Sequence, residues 1–158
     1  MPPIQYQISL GRTQIKADSP TVLVALETEA ALTVPVNVCR FQLVGEVSPK
    51  VGDPVEVSLG SDASPQPVFT GEVTAVDWGF EGLKLEASSH FRALTQAHFN
   101  LLFEKSTAGD MVADLAKRAQ VNVGKAEAGL KFPVYAIGAQ RSAYDHLHHL
   151  AQQCGFDL

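Results

Sequence analysis

Apolar and polar residues alternate with a period of two at the start of the chain. Gln5-Tyr6-Gln7-Ile8-Ser9-Leu10 places Tyr6, Ile8 and Leu10 on one face, the pattern of a half-buried strand. Val22 to Leu26 is a more continuous apolar run, and Pro35 separates Ala30-Ala31-Leu32 from a further strand, Val36 to Val44. Gly52-Asp53-Pro54 turns the chain into Val55-Glu56-Val57-Ser58-Leu59, which alternates cleanly. Gly60 to Pro67 is a surface loop by composition. The longest strand signal follows it. Phe69, Gly71, Val73 and Ala75 are expected on one face, with Thr70, Glu72 and Thr74 on the other. Gly79 to Gly82 supplies a turn, and Leu83, Leu85 and Ala87 alternate with Lys84 and Glu86 on the return. The prediction is a hairpin with one apolar and one polar face, Glu72 and Glu86 sharing the polar one.

Near residue 90 the period lengthens. His90 to Ala97 reads as a short helix with Phe91 and Leu94 inward, and Phe99 to Phe103 as a short apolar strand. A signature then occurs twice: Thr107-Ala108-Gly109-Asp110-Met111-Val112-Ala113-Asp114-Leu115-Ala116 returns 35 positions later as Ser142-Ala143-Tyr144-Asp145-His146-Leu147-His148-His149-Leu150-Ala151. Each copy opens on a hydroxyl residue with Asp three places on. The hydroxyl suits an N-cap, and the Asp can return the hydrogen bond and favours the positive helix end. Val112, Leu115, Ala116 and Ala119 then recur at helical spacing, as do Leu147, Leu150, Ala151 and Cys154. Between the copies, Val121-Asn122-Val123 and Phe132-Pro133-Val134-Tyr135 read as short strands or extended connections, and Gly155 stops the second helix. A helical solenoid has a similar period but needs a second helix per repeat, where this chain has a Gly/Pro-bearing extended segment. Two similar α-plus-strand units, packed as a pair, fit better. The last residues, Phe156-Asp157-Leu158, resemble the start of a strand and are expected to continue in a longer natural protein.

Composition narrows the class. The chain has 158 residues, 46% hydrophobic and 18% charged, enough for one core or one core with a small module. The net charge of −5 and the absence of clustered Lys and Arg beyond Lys117-Arg118 argue against a phosphate-backbone binder. The two cysteines, Cys39 and Cys154, are too few for a disulfide scaffold and read as small buried hydrophobes. Met1-Pro2-Pro3-Ile4-Gln5 has no signal-peptide pattern, and no apolar run reaches the ~20 residues of a membrane helix. The expectation is a soluble protein of a reducing compartment.

Candidate chemistry is sparse. Asp145-His146-Leu147-His148-His149 could place His146 with His149, or Asp145 with His149, on one helix face, offering two metal ligands. A catalytic zinc needs three, and no HExxH pattern is present. The structural reading makes these histidines the solvated side of an amphipathic helix. His90 and His98 read as boundaries of the short helix, Ser142 as a cap, and the glycines at 79, 82, 124, 129 and 138 as turns. Trp78 and Phe80 at the hairpin tip either form an exposed aromatic contact or cover the end of the sheet, and burial is the expectation. No catalytic, cofactor-binding or metal-binding residue is assigned, no cofactor is expected, and a non-enzymatic role follows.

Three landmarks together resemble a known family. Gly52-Asp53-Pro54-Val55-Glu56-Val57 is followed by Phe69-Thr70-Gly71-Glu72-Val73, similar to an F-x-G-x-V strand; Leu83 to Leu94 resembles a strand with a short helix and closing Leu. The second capped helix closes on Leu150-Ala151-Gln152-Gln153-Cys154-Gly155-Phe156. Their order and spacing, over roughly residues 36 to 158, resemble the phage late-control D and baseplate-hub family, related to the VgrG spike proteins of type VI secretion. The resemblance implies an α+β chain: an antiparallel β-barrel-like tail-tube domain at 1–89, then a peripheral α/β module with two capped helices at 90–158. A second tube-like domain has no counterpart here. It also implies a structural component of a phage tail or contractile injection system, joining tail tube to central spike and lining the channel. The full-length protein would be a homotrimer, with the tube and spike proteins as partners. DNA or an effector would pass without specific binding, and this fragment would not insert into a membrane. Assembly would take place in the bacterial cytoplasm, and the product would reside in a virion tail or injection-machine baseplate. The alternative is a monomeric β-rich ligand- or peptide-binding module.

Overall fold

The computed structural model describes residues 4–31, 35–61 and 65–156. The chain divides into two compact units, Met1–His90 and Phe91–Leu158.

The first unit is one antiparallel sheet of seven strands: β1 (Gln5–Leu10), β2 (Thr13–Lys16), β3 (Val22–Glu29), β4 (Val38–Val44), β5 (Pro54–Gly60), β6 (Gln66–Gly79) and β7 (Gly82–Ser88). Their spatial order is β2-β1-β5-β6-β7-β4-β3. This order forces the sheet to curl. Seven strands laid flat would separate β2 from β3 by roughly 29 Å. Residues 17–21, which join them, span at most about 22 Å fully extended. A turn held by Ser19 N donating to Lys16 O at 3.0 Å shortens that reach further. The ends of β2 and β3 that this connection joins therefore approach each other, giving a half-barrel, although no ladder pairs the two strands.

Three β-bulges help the bend, with Val24, Val68 and Thr74 as the extra residues in their ladders. Inside the curl lies a core that includes Ile8, Ile15, Phe41, Leu43, Val57, Phe69 and Val73. Each fully buried Ile, Leu or Val contributes about 1.5–3 kcal/mol. The bulge at Thr74 overturns one expectation. Beyond it the faces of β6 exchange, so Ala75 is exposed opposite Glu86 while Val76 packs toward the core opposite Leu85. Simple alternation through Ala75 fails because one residue is left out of the ladder. Its hydroxyl instead donates to the Glu86 carbonyl at 3.2 Å.

The second unit comprises α1 (Phe91–Gln96), β8 (Leu101–Thr107), α2 (Ala108–Arg118), β9 (Lys131–Ile137) and α3 (Ala143–Cys154). β8 and β9 pair antiparallel, and the core gathers Leu94, Leu115, Ile137, Ala143 and Leu147. Phe91, expected inward, is 40% exposed, because α1 has under two turns and only Leu94 faces the packed helices. Residues 121–123 are irregular, whereas 132–135 do lie in a strand, β9.

Helices α2 and α3 each open with a reciprocal capping box. Thr107 Oγ1 accepts from Asp110 N at 3.2 Å and Thr107 N donates to Asp110 Oδ2 at 3.2 Å. In α3, Ser142 Oγ accepts from Asp145 N at 3.2 Å and Ser142 N donates to Asp145 Oδ2 at 3.0 Å. Gly155 closes α3 in the left-handed region at φ 69°, and Phe156 N donates back to Ala151 O at 2.9 Å. Phe156 thus completes a helix cap, where a strand start was expected; residues 157–158 lie outside the described residues.

The two caps carry a pH dependence. Hydrogen bonds from the Thr107 and Ser142 hydroxyls hold Asp110 and Asp145 below the usual carboxylate pKa. A pKa depressed in the folded state contributes stability that is present above the unfolded value of about 3.9 and is lost as pH falls through the folded one. Acidification from about pH 6 to pH 2.5 will therefore lower the stability of the second unit, read as its urea midpoint. The double variant Asp110→Asn/Asp145→Asn will show a shallower pH dependence over that range.

Candidate functional site

The outer face of the sheet is an organised polar surface. Strand β5 pairs with β6 only as far as Glu72, so residues 74–79 of β6 extend past it. In this region the sheet has four strands, in the order β6-β7-β4-β3. Cross-strand pairing sets two rows on the outer face: Glu27, Arg40, Glu86 and Ala75 in one, Ala25, Gln42, Lys84 and Asp77 in the other. Arg40 Nε donates to Glu86 Oε2 at 3.0 Å, and Arg40 Nη1 lies 3.7 Å from Glu29 Oε2. The hydrogen bond to Glu86 raises the Arg40 pKa. Glu72 pairs with Ser88 and shares the same outer face with Glu86, as alternation predicted. Including Glu72 and Glu29, the face carries five carboxylates against two cations. A groove of about 360 Å³ runs across the two rows.

Two strand edges flank this four-stranded region. β3 pairs only with β4, and β6 beyond Val73 pairs only with β7. β3 reads Val-Leu-Val-Ala-Leu-Glu-Thr-Glu, with Val22 54% and Val24 56% exposed. It has no Lys or Pro to discourage strand addition. The hairpin tip corrects another expectation: Trp78 is 62% exposed and Phe80 fully so. Burial was expected from their size, but β6 and β7 outrun β5, leaving no layer to cover them.

The histidine cluster is not brought together. His146 is buried, where a solvated position was expected; its Nε2 donates to the Gly138 carbonyl at 3.2 Å, with its ring edge-on to Tyr135. His148 is exposed, stacks on Tyr144 and bonds Gln152, and His149 is exposed beside Gln153. Asp145 is engaged in the cap. Among the described residues no group of three His, Cys, Asp or Glu could hold a metal ion. His98 Nδ1 lies within 3.0 Å of Ala139 O and 3.1 Å of Arg141 O, so it anchors the β9–α3 connection. Burial pushes the Cys39 thiol up to about 12, which keeps it protonated. Cys154 is half-buried and its Sγ accepts from Leu130 N at 3.3 Å.

No known family profile matches the sequence, and no curated protein matches it. The fold does have solved counterparts. The 43 kDa tail protein of prophage MuSo2 from Shewanella oneidensis superposes with a TM-score of 0.73 at 14% identity, over 97% of this chain and 51% of that one. The tail protein from Neisseria meningitidis MC58 gives 0.68 at 17% identity, over 96% and 46%. The Escherichia coli c3393 protein gives 0.65 at 12% identity, over 91% and 42%; it is described as a type VI secretion component with structural similarity to the T4 bacteriophage tail proteins gp27 and gp5. The fold is one that phage tail proteins use. This chain spans about half the length of these counterparts. Signals for the strand edges were present in the sequence, in the unprotected run at 22–26, but their openness depends on which strands end where.

Proposed function

We propose that this chain is a structural component of a phage-tail or contractile-injection baseplate hub whose first unit contributes wall to a channel. The observation that carries this reading is the four-stranded region with an open edge at each side, β6 at one and β3 at the other. Strand directions alternate across it, so β3 of one copy would meet β6 of the next antiparallel. An even number of strands per copy preserves that alternation around a ring. Such an interface is head-to-tail and closes when the rotation allows. Six four-stranded units would make a 24-stranded wall with a backbone diameter of roughly 40 Å. Barrels of about 16–18 strands already leave an aqueous channel. In this reading the full-length protein is a homotrimer contributing two such units per subunit, joined to tail-tube and spike proteins. The acid-rich outer face lines the passage, where it repels a polyanion rather than holding it. No bond is made or broken.

The test is negative-stain electron microscopy and sedimentation velocity of the chain at high protein concentration. Rings with a central hole are the expected result. Val24→Lys places a charge on the exposed bulge of β3 without touching the core, and it will abolish the rings while the circular dichroism spectrum is retained. Monomers at all concentrations would overturn edge pairing by this chain. They would favour the monomeric module, with β3 or the outer groove receiving a peptide.

A further inference from the structure

The first unit has a segregated charge distribution. Its residues include five Lys and Arg against eleven Asp and Glu. Arg40 and Lys84 each have a glutamate neighbour, at 3.0 Å and 3.9 Å. Arg12, Lys16 and Lys50 form no ion pair among the described residues. Arg12 and Lys50 both line a groove of about 570 Å³ between the β1–β2 turn and the 47–54 segment. Val47, Pro49 and Pro54 supply apolar wall, and one carboxylate, Asp53, is present. Asp53 is already engaged, accepting Lys50 N at 2.8 Å. The groove thus offers apolar surface and two cations, neither of them ion-paired among the described residues, against the single carboxylate Asp53.

The hairpin tip has the complementary chemistry. Trp78 and Phe80 are exposed aromatics, and the Glu81 side chain beside them is 82% exposed, 3.9 Å from Lys84 Nζ in a loose surface pair. A fully exposed Phe on a soluble surface marks a contact site when it adjoins other apolar groups, and aromatic residues dominate interface energetics. Arg and Lys attract aromatic faces as well as carboxylates. We infer that the Trp78–Glu81 tip of one copy docks in the Arg12/Lys50 groove of a second copy, Phe80 against the apolar wall and Glu81 against the two cations. Tip and groove are different surfaces of one chain, so the contact is head-to-tail and propagates. It goes beyond the channel reading by naming a second contact, and rests on that reading only in requiring that copies associate.

A charge exchange tests it, with self-association followed by sedimentation velocity. Phe80→Ala will weaken association on the order of tenfold or more. Glu81→Lys alone and Arg12→Glu/Lys50→Glu alone will each weaken it, and raised salt will weaken the wild type. Mixing the two charge variants will restore association, because each tip then meets a groove of opposite sign. All these positions are exposed, and unchanged circular dichroism will show that the fold is intact. Failure of the mixture to recover, or wild-type association in Phe80→Ala, would overturn the docking. If the tip and groove variants associate normally while Val24→Lys does not, the docking falls and the edge-paired ring stands. A wild type that never associates sinks both.

Discussion

Gly71→Ala will destabilise the first unit by about 3 kcal/mol or more, a cost in the range of severe overpacking. Gly71 sits inward on β6, at the centre of the Phe69-Thr70-Gly71-Glu72-Val73 strand. A Cβ there would collide with the carbonyl oxygen of Ser88, and would lie 2.7 Å from Ser88 C and 2.9 Å from Phe69 Cζ. The obstruction includes main chain, at the end of β7, so no rotamer change relieves it. β7 is held on both sides, by β6 and β4, and cannot retreat without breaking ladders. Urea denaturation followed by far-ultraviolet circular dichroism will show an early transition for this variant. The neighbouring exposed substitution Thr70→Ala will shift the midpoint far less, since Thr70 faces outward.

Gly109→Ala will destabilise the second unit by about 2–4 kcal/mol, although Ala is the better helix former by about 1 kcal/mol. The segment 126–130 crosses the start of α2. There Ala108 N donates to Leu130 O at 2.9 Å and Gly109 N donates to Ala128 O at 3.0 Å. These bonds satisfy two N–H groups of the first turn. A Cβ on Gly109 would meet the Glu127 carbonyl oxygen and lie 3.2 Å from Ala128 Cα. The strap must lift, and both hydrogen bonds are lost with it. Amide exchange at residues 108 and 109 will accelerate together with the loss of global stability. The same place in the second copy of the signature holds Tyr144, which stacks on His148. Tyr144→Ala removes that stack and the packing of a half-buried ring against the core, and will cost about 1–3 kcal/mol with no backbone obstruction. The sign of the propensity argument is thus reversed by the Glu127 carbonyl that crosses at Gly109.

These two glycines show what a linear reading can and cannot reach. The capping boxes were legible because a hydroxyl, a carboxylate three residues on and a helical apolar stripe interact within a few residues. Both boxes form, and Gly155 ends α3 as its place after Cys154 implied. Most strands were legible for the same reason, since period-two alternation is a property of a segment and one buried face. β2 was missed, because Thr13–Lys16 has only four residues and one buried apolar position, Ile15. The exchange of faces after Val73 was missed because a bulge depends on the partner strand: Thr74 leaves the ladder only through its pairing with β7.

The candidate surface divides in the same way. Local spacing alone sufficed for the α+β elements, the caps, and the polar outer face with Glu72 and Glu86. Each of these follows from local spacing and from the burial preference of a side chain. Long-range packing was needed for the strand order, the curl imposed by the short 17–21 connection, the open edges of β3 and β6, the exposure of Trp78 and Phe80, and the burial of His146. These depend on contacts between residues far apart in the chain. Whether an edge is open or a tip covered is set by where another strand happens to stop.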